Sequence, residues 1–555
     1  MIKQEIAGLV AQAAQEAREQ GDLPSVALPE VEIERPQRPE HGDYASSLAL
    51  RLARAGRVDS MSVAESIARH IKPHTAIGEV SVAAPGFINF RLDEEWLALQ
   101  TEAVLREGEA YGNVPLGEGR KVQVEYVSAN PTGPLHVGNG RWASIGSTLA
   151  NVLKAAGYQV EEEYLVNDML TQVKIFARTL HARYLQLFGK DVDIPADGYP
   201  GEYVIDLARE IRDQYGDRFV GPYEFAPDPP PEFSDIGLRR MLERIRDDLV
   251  AMGVTFDVWF RESTLYGPDS RYDQMMRLLR ERGHVTEKEG AVWFASSELG
   301  EDKDNVLVRS TGVPTYFASD IAYHYDKFLV RGFDRVINIW GADHQGHVSR
   351  LKAAVAALGV DPSRLEVIIG QLVTLKRGGE VVRISKRSGD IVTLREVIDE
   401  VGKDACRFLF LMRSADATVE FDLELAKQQS AENPVYYVQY AYARIAGILN
   451  LARERGIDFS DGDPRLLTQP QELALIRRML RLPELVESMA RTLAPHHLPH
   501  YALDLATAFH DFYERCRVVT DDVPLTKARL KLVEAARLTL WRTLSLMGVA
   551  APERM

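Results

Sequence analysis

Two stretches carry side chains suited to handling a nucleoside triphosphate. The first is Lys121–Arg141, KVQVEYVSANPTGPLHVGNGR. Val122, Val124 and Tyr126 alternate with Gln123 and Glu125, which predicts a strand. Asn130, Pro131, Gly133 and Pro134 then forbid strand and helix alike. A helix opens at His136-Val137-Gly138-Asn139, runs over Gly138–Ala156 and ends at Gly157. Backbone N–H groups at a helix start attract phosphate, and Gly138 lets a phosphate or flat base approach closely. The second stretch is Val382–Gly389, VRISKRSG, after the apolar run Leu365–Leu375. Lys386, among small residues and beside Arg387, suits charge that develops on a triphosphate during reaction.

His136-Val137-Gly138-Asn139 resembles the HIGH motif, and Arg383-Ile384-Ser385-Lys386-Arg387 the KMSKS motif, of class I aminoacyl-tRNA synthetases. SANPTGPLHVGN, the run FDVWFRES (Phe256–Ser263), PTYFASDIAYH (Pro314–His324), GADHQGH (Gly341–His347) and NPVYYVQYAYARI (Asn433–Ile445) resemble arginyl-tRNA synthetases over nearly the whole chain. Asn139 stands where the motif often has a second histidine; an amide still donates but carries no charge. Arg383 stands where KMSKS has its first lysine, keeping charge but not geometry. His136 and Lys386 remain.

The resemblance implies a set of roles. His136 and Asn139 hold phosphate oxygens, while Lys386 and Arg383 neutralise the departing pyrophosphate. Gly138, Pro131, His347, Asp343, Gln371 and Ser385 face ATP. Glu125 and Asn130 take the α-ammonium of L-arginine, and His344 lies on the amino-acid side. Asp320 offers a carboxylate fork to the guanidinium, with Tyr316, one helical turn away, and Glu262 completing the ring. A buried unpaired carboxylate is costly, so such a pocket selects a matching planar cation. The blander alternatives stay open: Tyr316 as a core aromatic, Glu262 as a solvated carboxylate, Glu125 as solvated on an edge strand. Phe87 and Asn89 are the positions that the resemblance gives to the D-loop of tRNA(Arg), sharing a strand face. The competing view buries Phe87 and gives Asn89 to a turn. Tyr436, Tyr437, Tyr440 and Arg444 supply stacking and phosphate contacts at the anticodon end. ATP enters with Mg²⁺ as a substrate complex, with no tightly bound metal or zinc; His344-x-x-His347 lacks the further ligands of a zinc helix. Family members require bound tRNA even for amino-acid activation.

These residues need an α/β scaffold. After the HIGH-like helix, Tyr158–Val166 reads as a strand and Asp168–Leu187 as a helix, with Asp168 as its cap. This alternation predicts a Rossmann-type parallel sheet with right-handed crossovers. The expected organisation is multidomain: a small N-terminal α/β domain over 1–110, a catalytic domain over 118–395 with an insertion at about 188–300, a connecting segment over 396–432, and an all-α helical bundle over 433–555. In the first domain, helices are expected at Ile2–Glu19, Tyr44–Ala55 and Ser62–Ile71, with His41–Ala45 marking a helix start.

Composition narrows the class. The 555 residues exceed one core, and no apolar run reaches membrane-spanning length. Two cysteines, Cys406 and Cys516, sit in apolar helical contexts. They predict free thiols in a reducing cytoplasm and exclude a cysteine-rich zinc site. A net charge of −15 argues against a wholly nucleic-acid-coating surface, while Tyr436–Met555 is slightly basic. The expected partners are tRNA(Arg), L-arginine and ATP, with no membrane, acting as a monomer. A different class I synthetase, a noncatalytic RNA-binding paralogue or a small nucleotidyltransferase each leaves part of this pattern unused.

Overall fold

The computed structural model describes residues 1–221, 228–382 and 392–555. Its centre is a five-stranded parallel sheet of β1 (Lys121–Glu125), β2 (Gln159–Val166), β3 (Val258–Arg261), β4 (Arg335–Gly341) and β5 (Leu365–Gly370), in the order β5-β4-β1-β2-β3. The chain steps outward from β1 to β3, then restarts on the other side of β1. The switch point therefore lies between β1 and β4, where open parallel sheets bind ligands beyond their carboxyl ends.

β1 is central, so both its faces are covered. Gln123 and Glu125, the polar members of the alternation, are as buried as Val122 and Val124. Glu125 is thus not the solvated residue that an edge strand would give. The helix α1 (Val137–Ala155) follows, packed closely on the sheet. A Cβ on Gly146 would overlap the ring of Tyr126, and one on Gly370 the indole of Trp142. Close ring-on-backbone packing thus fixes the helix that carries the HIGH-like residues.

The stretch expected as one insertion is discontinuous. Helices Glu202–Tyr215 and Pro231–Ala251 pack beside the helix Thr171–Gln186. The chain then returns to the catalytic sheet as β3, the FDVW segment, before an antiparallel sheet of Val285–Lys288, Ala291–Phe294 and Asn305–Val308. Asp168 does not cap the next helix, which starts at Thr171 behind Leu170. Its carboxylate instead accepts from the Ser263 N–H at 2.9 Å and hydroxyl at 2.7 Å. Helix α2 (Tyr316–Tyr325) is capped by Thr315 and continues as a π-helical turn over Asp326–Val330.

The N-terminal region is a four-stranded antiparallel sheet, Ile33–Glu34, Tyr44–Ser46, Phe87–Leu92 and Ile77–Ala83 in spatial order, with helices Ile2–Glu19, Leu48–Gly56 and Ser60–His70. The helix expected from Tyr44 begins only at Leu48, because Tyr44–Ser46 pairs with Phe87–Leu92. The His41–Ala45 segment is a docking point rather than a helix start. Asp43 accepts from Arg477 at 2.8 Å, and the Tyr44 hydroxyl meets Glu484, which also takes the Arg35 guanidinium at 2.9 and 3.0 Å. The C-terminal region is helical, including α3 (Pro434–Glu454), α4 (His497–Arg515) and α5 (Val523–Met547). Cys406 and Cys516 are buried free thiols. Among the described residues no helix is long and apolar enough to cross a membrane, and no group of three or more His, Cys, Asp or Glu is placed to hold a metal.

Candidate active site

His136 is the N-cap of α1. Its Nδ1 accepts from the Gly138 N–H at 3.1 Å, while the Asn139 side-chain oxygen accepts from the His136 N–H at 3.0 Å. This reciprocal cap fixes the histidine against the helix start. It also sets the neutral tautomer: Nδ1 accepts, so Nε2 carries the proton. Asn139 is buried, and a Cβ on Gly138 would press on the His136 ring. Arg383, Ser385 and Lys386 lie outside the described residues. Just beyond them, Thr393 forms an isolated antiparallel bridge with His136, and the Leu394 N–H donates to the Leu135 carbonyl at 2.7 Å. The capping box of Thr393 and Glu396 holds that turn.

Acid chemistry gathers beside the switch point. Helix α2, which carries Asp320, packs on the Glu262–Leu265 turn after β3, where the Tyr266 and Ser319 hydroxyls meet at 2.5 Å, and Lys327 of its π turn binds Glu125 at the end of β1. Burial first, then the charges of Glu125 and Glu262, push the Asp320 carboxyl up to about 7 against the opposing pull of Arg350 and Lys327. Glu262 is buried and likewise pushed up by desolvation; one of its oxygens lacks a hydrogen-bond partner. No hydrogen bond to the Asp320 carboxylate is present among the described residues. Glu262, buried with one oxygen unpartnered, and the half-buried Asp320 together favour a cation between them. Tyr316 opens the same helix and is 53 % exposed, so it is not a core aromatic.

Glu125 has a resident partner that sequence reasoning missed. Its Oε2 accepts from the Lys327 ammonium at 2.7 Å, and its Oε1 from the Ser128 hydroxyl at 3.1 Å. Asn130 is exposed and accepts from Asn167 at 3.4 Å; Pro131 is buried beneath it. Lys327 is the single basic ammonium in Tyr316–Val330, a segment that also carries Asp320, His324 and Asp326, and no local pattern marks it as the partner of Glu125.

The β4 end is open. Asp343 and His344 are exposed and pair at 3.5 Å, and the His344 ring lies 5.7 Å from that of His347. Burial, then Arg350, then His344 lower the His347 imidazole below its usual value. Arg350, bonded to His347, also acts on Asp320, which ties this loop to the acid cluster. Gln371 follows β5; its carbonyl accepts from the buried Arg141 at 2.8 Å, and Arg141 also binds the Ser414 and Ala417 carbonyls, each at 2.7 Å. Arg141 was not foreseen.

The RNA candidates lie elsewhere. Phe87 is partly exposed, but Asn89 is 4 % exposed on an inner strand. The two keep the spacing of one strand face, but the Asn89 side chain is covered while Phe87 stays partly open. On α3, Tyr440 stacks on Tyr436 and lies 6.0 Å from the His510 ring, and Tyr437 lies 5.1 Å from His510 on α4. The Arg444 guanidinium sits over Tyr440 and Tyr513, at 5.0 and 4.7 Å. Tyr440 and Tyr513 are exposed.

Three domain families cover the chain. The arginyl tRNA synthetase N terminal domain matches residues 2–92, the catalytic domain of class I tRNA synthetases (R) matches 100–193 and 233–433, and the DALR anticodon binding domain matches 438–555. The chain is 54 % identical over 555 residues to an arginine–tRNA ligase of Dehalococcoides mccartyi, covering 100 % of this chain and 99 % of that protein. An arginine–tRNA ligase of Moorella thermoacetica is 48 % identical over 560 aligned positions, with the same coverage. The fold matches an arginyl-tRNA synthetase of Thermus thermophilus with a TM-score of 0.77, at 24 % identity and 100 % coverage of both chains.

Proposed function

The chain belongs to the arginyl-tRNA synthetases, arginine–tRNA ligases of class I, and on that premise we propose how its own side chains carry the reaction. L-Arginine and ATP, the latter with Mg²⁺ as part of the substrate, meet above the β1–β4 switch point. The arginine carboxylate attacks the α-phosphorus, pyrophosphate leaves, and the terminal ribose hydroxyl of tRNA(Arg) then displaces AMP from the adenylate. Displacement at phosphorus needs positioning and charge stabilisation more than covalent help.

Asp320 and Glu262 receive the guanidinium, with Tyr316 closing the mouth. Glu125 and Asn130 receive the α-ammonium, and His344 borders the amino acid. His136 donates from Nε2 to a phosphate oxygen, and the Asn139 amide braces that histidine and adds a donor. Gly138 and Pro131 shape the phosphate approach, Asp343 and His347 border the ribose, and Gln371 borders the base. Lys386, Arg383 and Ser385 act on the leaving pyrophosphate. Tyr437, Tyr440 and Arg444 stack on the anticodon end, and Phe87 meets the D-loop, with Asn89 a support behind that face rather than a direct reader. We assign 1–110, 118–395, 396–432 and 433–555 as the working units, and a cytoplasmic monomer as the working form.

The observation that supports this reading is that the Asp320 helix packs on the Glu262–Leu265 turn and, through Lys327, binds Glu125 at the end of β1. The test is pyrophosphate exchange with each amino acid, with and without tRNA(Arg). Arginine alone should support exchange. Equal exchange with lysine or citrulline would remove the forked-anion reading.

A further inference from the structure

We propose that Lys327 is a positioning residue for amino-acid recognition, an internal cation that holds Glu125 and the Asp320 turn in one fixed arrangement. The proposal rests on the pocket assignment above and goes beyond it, because Lys327 need not touch substrate.

Lys327 is wholly buried. It reaches the pocket because α2 ends in the π-helical turn Asp326–Val330, a feature that often marks functional sites. Its ammonium donates to Glu125 Oε2 at 2.7 Å and to Asn338 Oδ1 at 3.2 Å, and lies 4.0 Å from the Tyr323 ring centroid. Asn338 Nδ2 donates to His324 Nε2 at 2.9 Å, and His324 Nδ1 donates to the Asp320 carbonyl at 2.7 Å. One unbroken chain of bonds thus runs from Glu125 on β1, through Lys327 and Asn338 on β4, to the backbone of Asp320 on α2. Its direction needs a neutral His324. Burial, with Lys327 nearby, holds that imidazole down at about 3.

A buried ion pair is weak evidence for stability, because an apolar pair of similar volume often stabilises as well. Its placement under an acid cluster has an electrostatic use instead. On the pocket side the charged and titratable neighbours are Asp320, Glu262, Asp168 and Arg350, with Tyr266 near Glu262. On the far side they are Tyr323, Glu163 and Arg331. Lys327 favours the ionised form of Asp320. Without it, Glu125 is a buried carboxylate lacking its ammonium, and the cluster competes for protons instead of arginine.

The experiment compares Lys327→Met, Lys327→Arg, Asn338→Leu and Glu125→Gln in the full-length enzyme, using arginine-dependent pyrophosphate exchange with tRNA(Arg) present. Lys327→Met should raise the arginine KM by about tenfold or more, leave the ATP KM unchanged, and move the acid limb of kcat/KM for arginine to higher pH. Lys327→Arg should restore the acid limb. Asn338→Leu keeps the ion pair and cuts the relay, so it should raise the arginine KM without moving the limb; it decides the matter if Lys327→Met does not fold. An unchanged arginine KM in Asn338→Leu, or an unmoved acid limb in folded Lys327→Met, overturns the proposal. An unchanged arginine KM in Glu125→Gln would instead overturn the pocket assignment beneath it.

Discussion

Thr393 and His136, 257 positions apart in the sequence, bridge backbone to backbone at the mouth of α1. The segment that follows residues 383–391 therefore returns directly to the start of α1, which we assign to phosphate. Lys386, within 383–391, is the cation expected to meet the departing pyrophosphate. Lys386→Ala should cut the activation rate by about 10²–10³-fold and leave tRNA binding intact. Pyrophosphate exchange and a filter-binding assay check the two halves, and unchanged turnover would release Lys386 from this role.

Asn139 separates structure from chemistry. Asn139→Ala removes the acceptor for the His136 N–H and should cost about 1 kcal/mol of stability, with loss of activation. Asn139→Asp keeps that acceptor, so thermal unfolding should stay near wild type. It places a negative charge beside the phosphates, so activation should still fall. An Asp variant as active as the parent would put the triphosphate elsewhere.

Asp320 gives the enzyme a pH signature. Its carboxyl is pushed up to about 7 in the folded protein, above the usual carboxylate range. The folded state therefore holds this proton more tightly than the unfolded chain does. Its stabilising contribution is full below the ordinary carboxylate pKa and is lost as pH rises through about 7. Arginine binding runs the other way, since a guanidinium needs the ionised form. The arginine kcat/KM should climb up to tenfold per pH unit below that midpoint and level off above it. Asp320→Asn should flatten this limb and raise the arginine KM by about a hundredfold or more. A normal KM would move the guanidinium elsewhere.

Tyr440 and Arg444 should matter to RNA alone. Removing a stacking face costs about 1–3 kcal/mol per base, so Tyr440→Ala should weaken tRNA(Arg) binding about tenfold or more, and Arg444→Ala should flatten its salt dependence. Arginine and ATP KM values at saturating tRNA should not change.

Much of this was legible in the sequence, and the reasons differ by residue. The β1 to α1 passage was plain because alternation, prolines and glycine act locally. Asp320 and Tyr316 were placed on one helix because their spacing is a helical turn. The burial of Gln123 was not legible, since alternation cannot tell a central strand from an edge. Tyr44 was misread because a short strand borrows its hydrogen bonds from Phe87–Leu92, far along the chain. The Glu125–Lys327 pair joins residues 202 apart, and no window contains both. Asn89 looked available because nothing local reveals what packs over its face of the sheet.

The Arg35–Tyr44–Glu484 cluster and the Asp43–Arg477 pair fasten the first hundred residues directly to the last hundred. Neither terminus can be trimmed as an independent part. Shortening the chain from the front would strip Glu484 and Arg477 of their counter-charges on helices Arg481–Thr492 and Pro470–Met479. The two ends of the chain are thus held as one assembly, and a change at either side of this seam reaches the other.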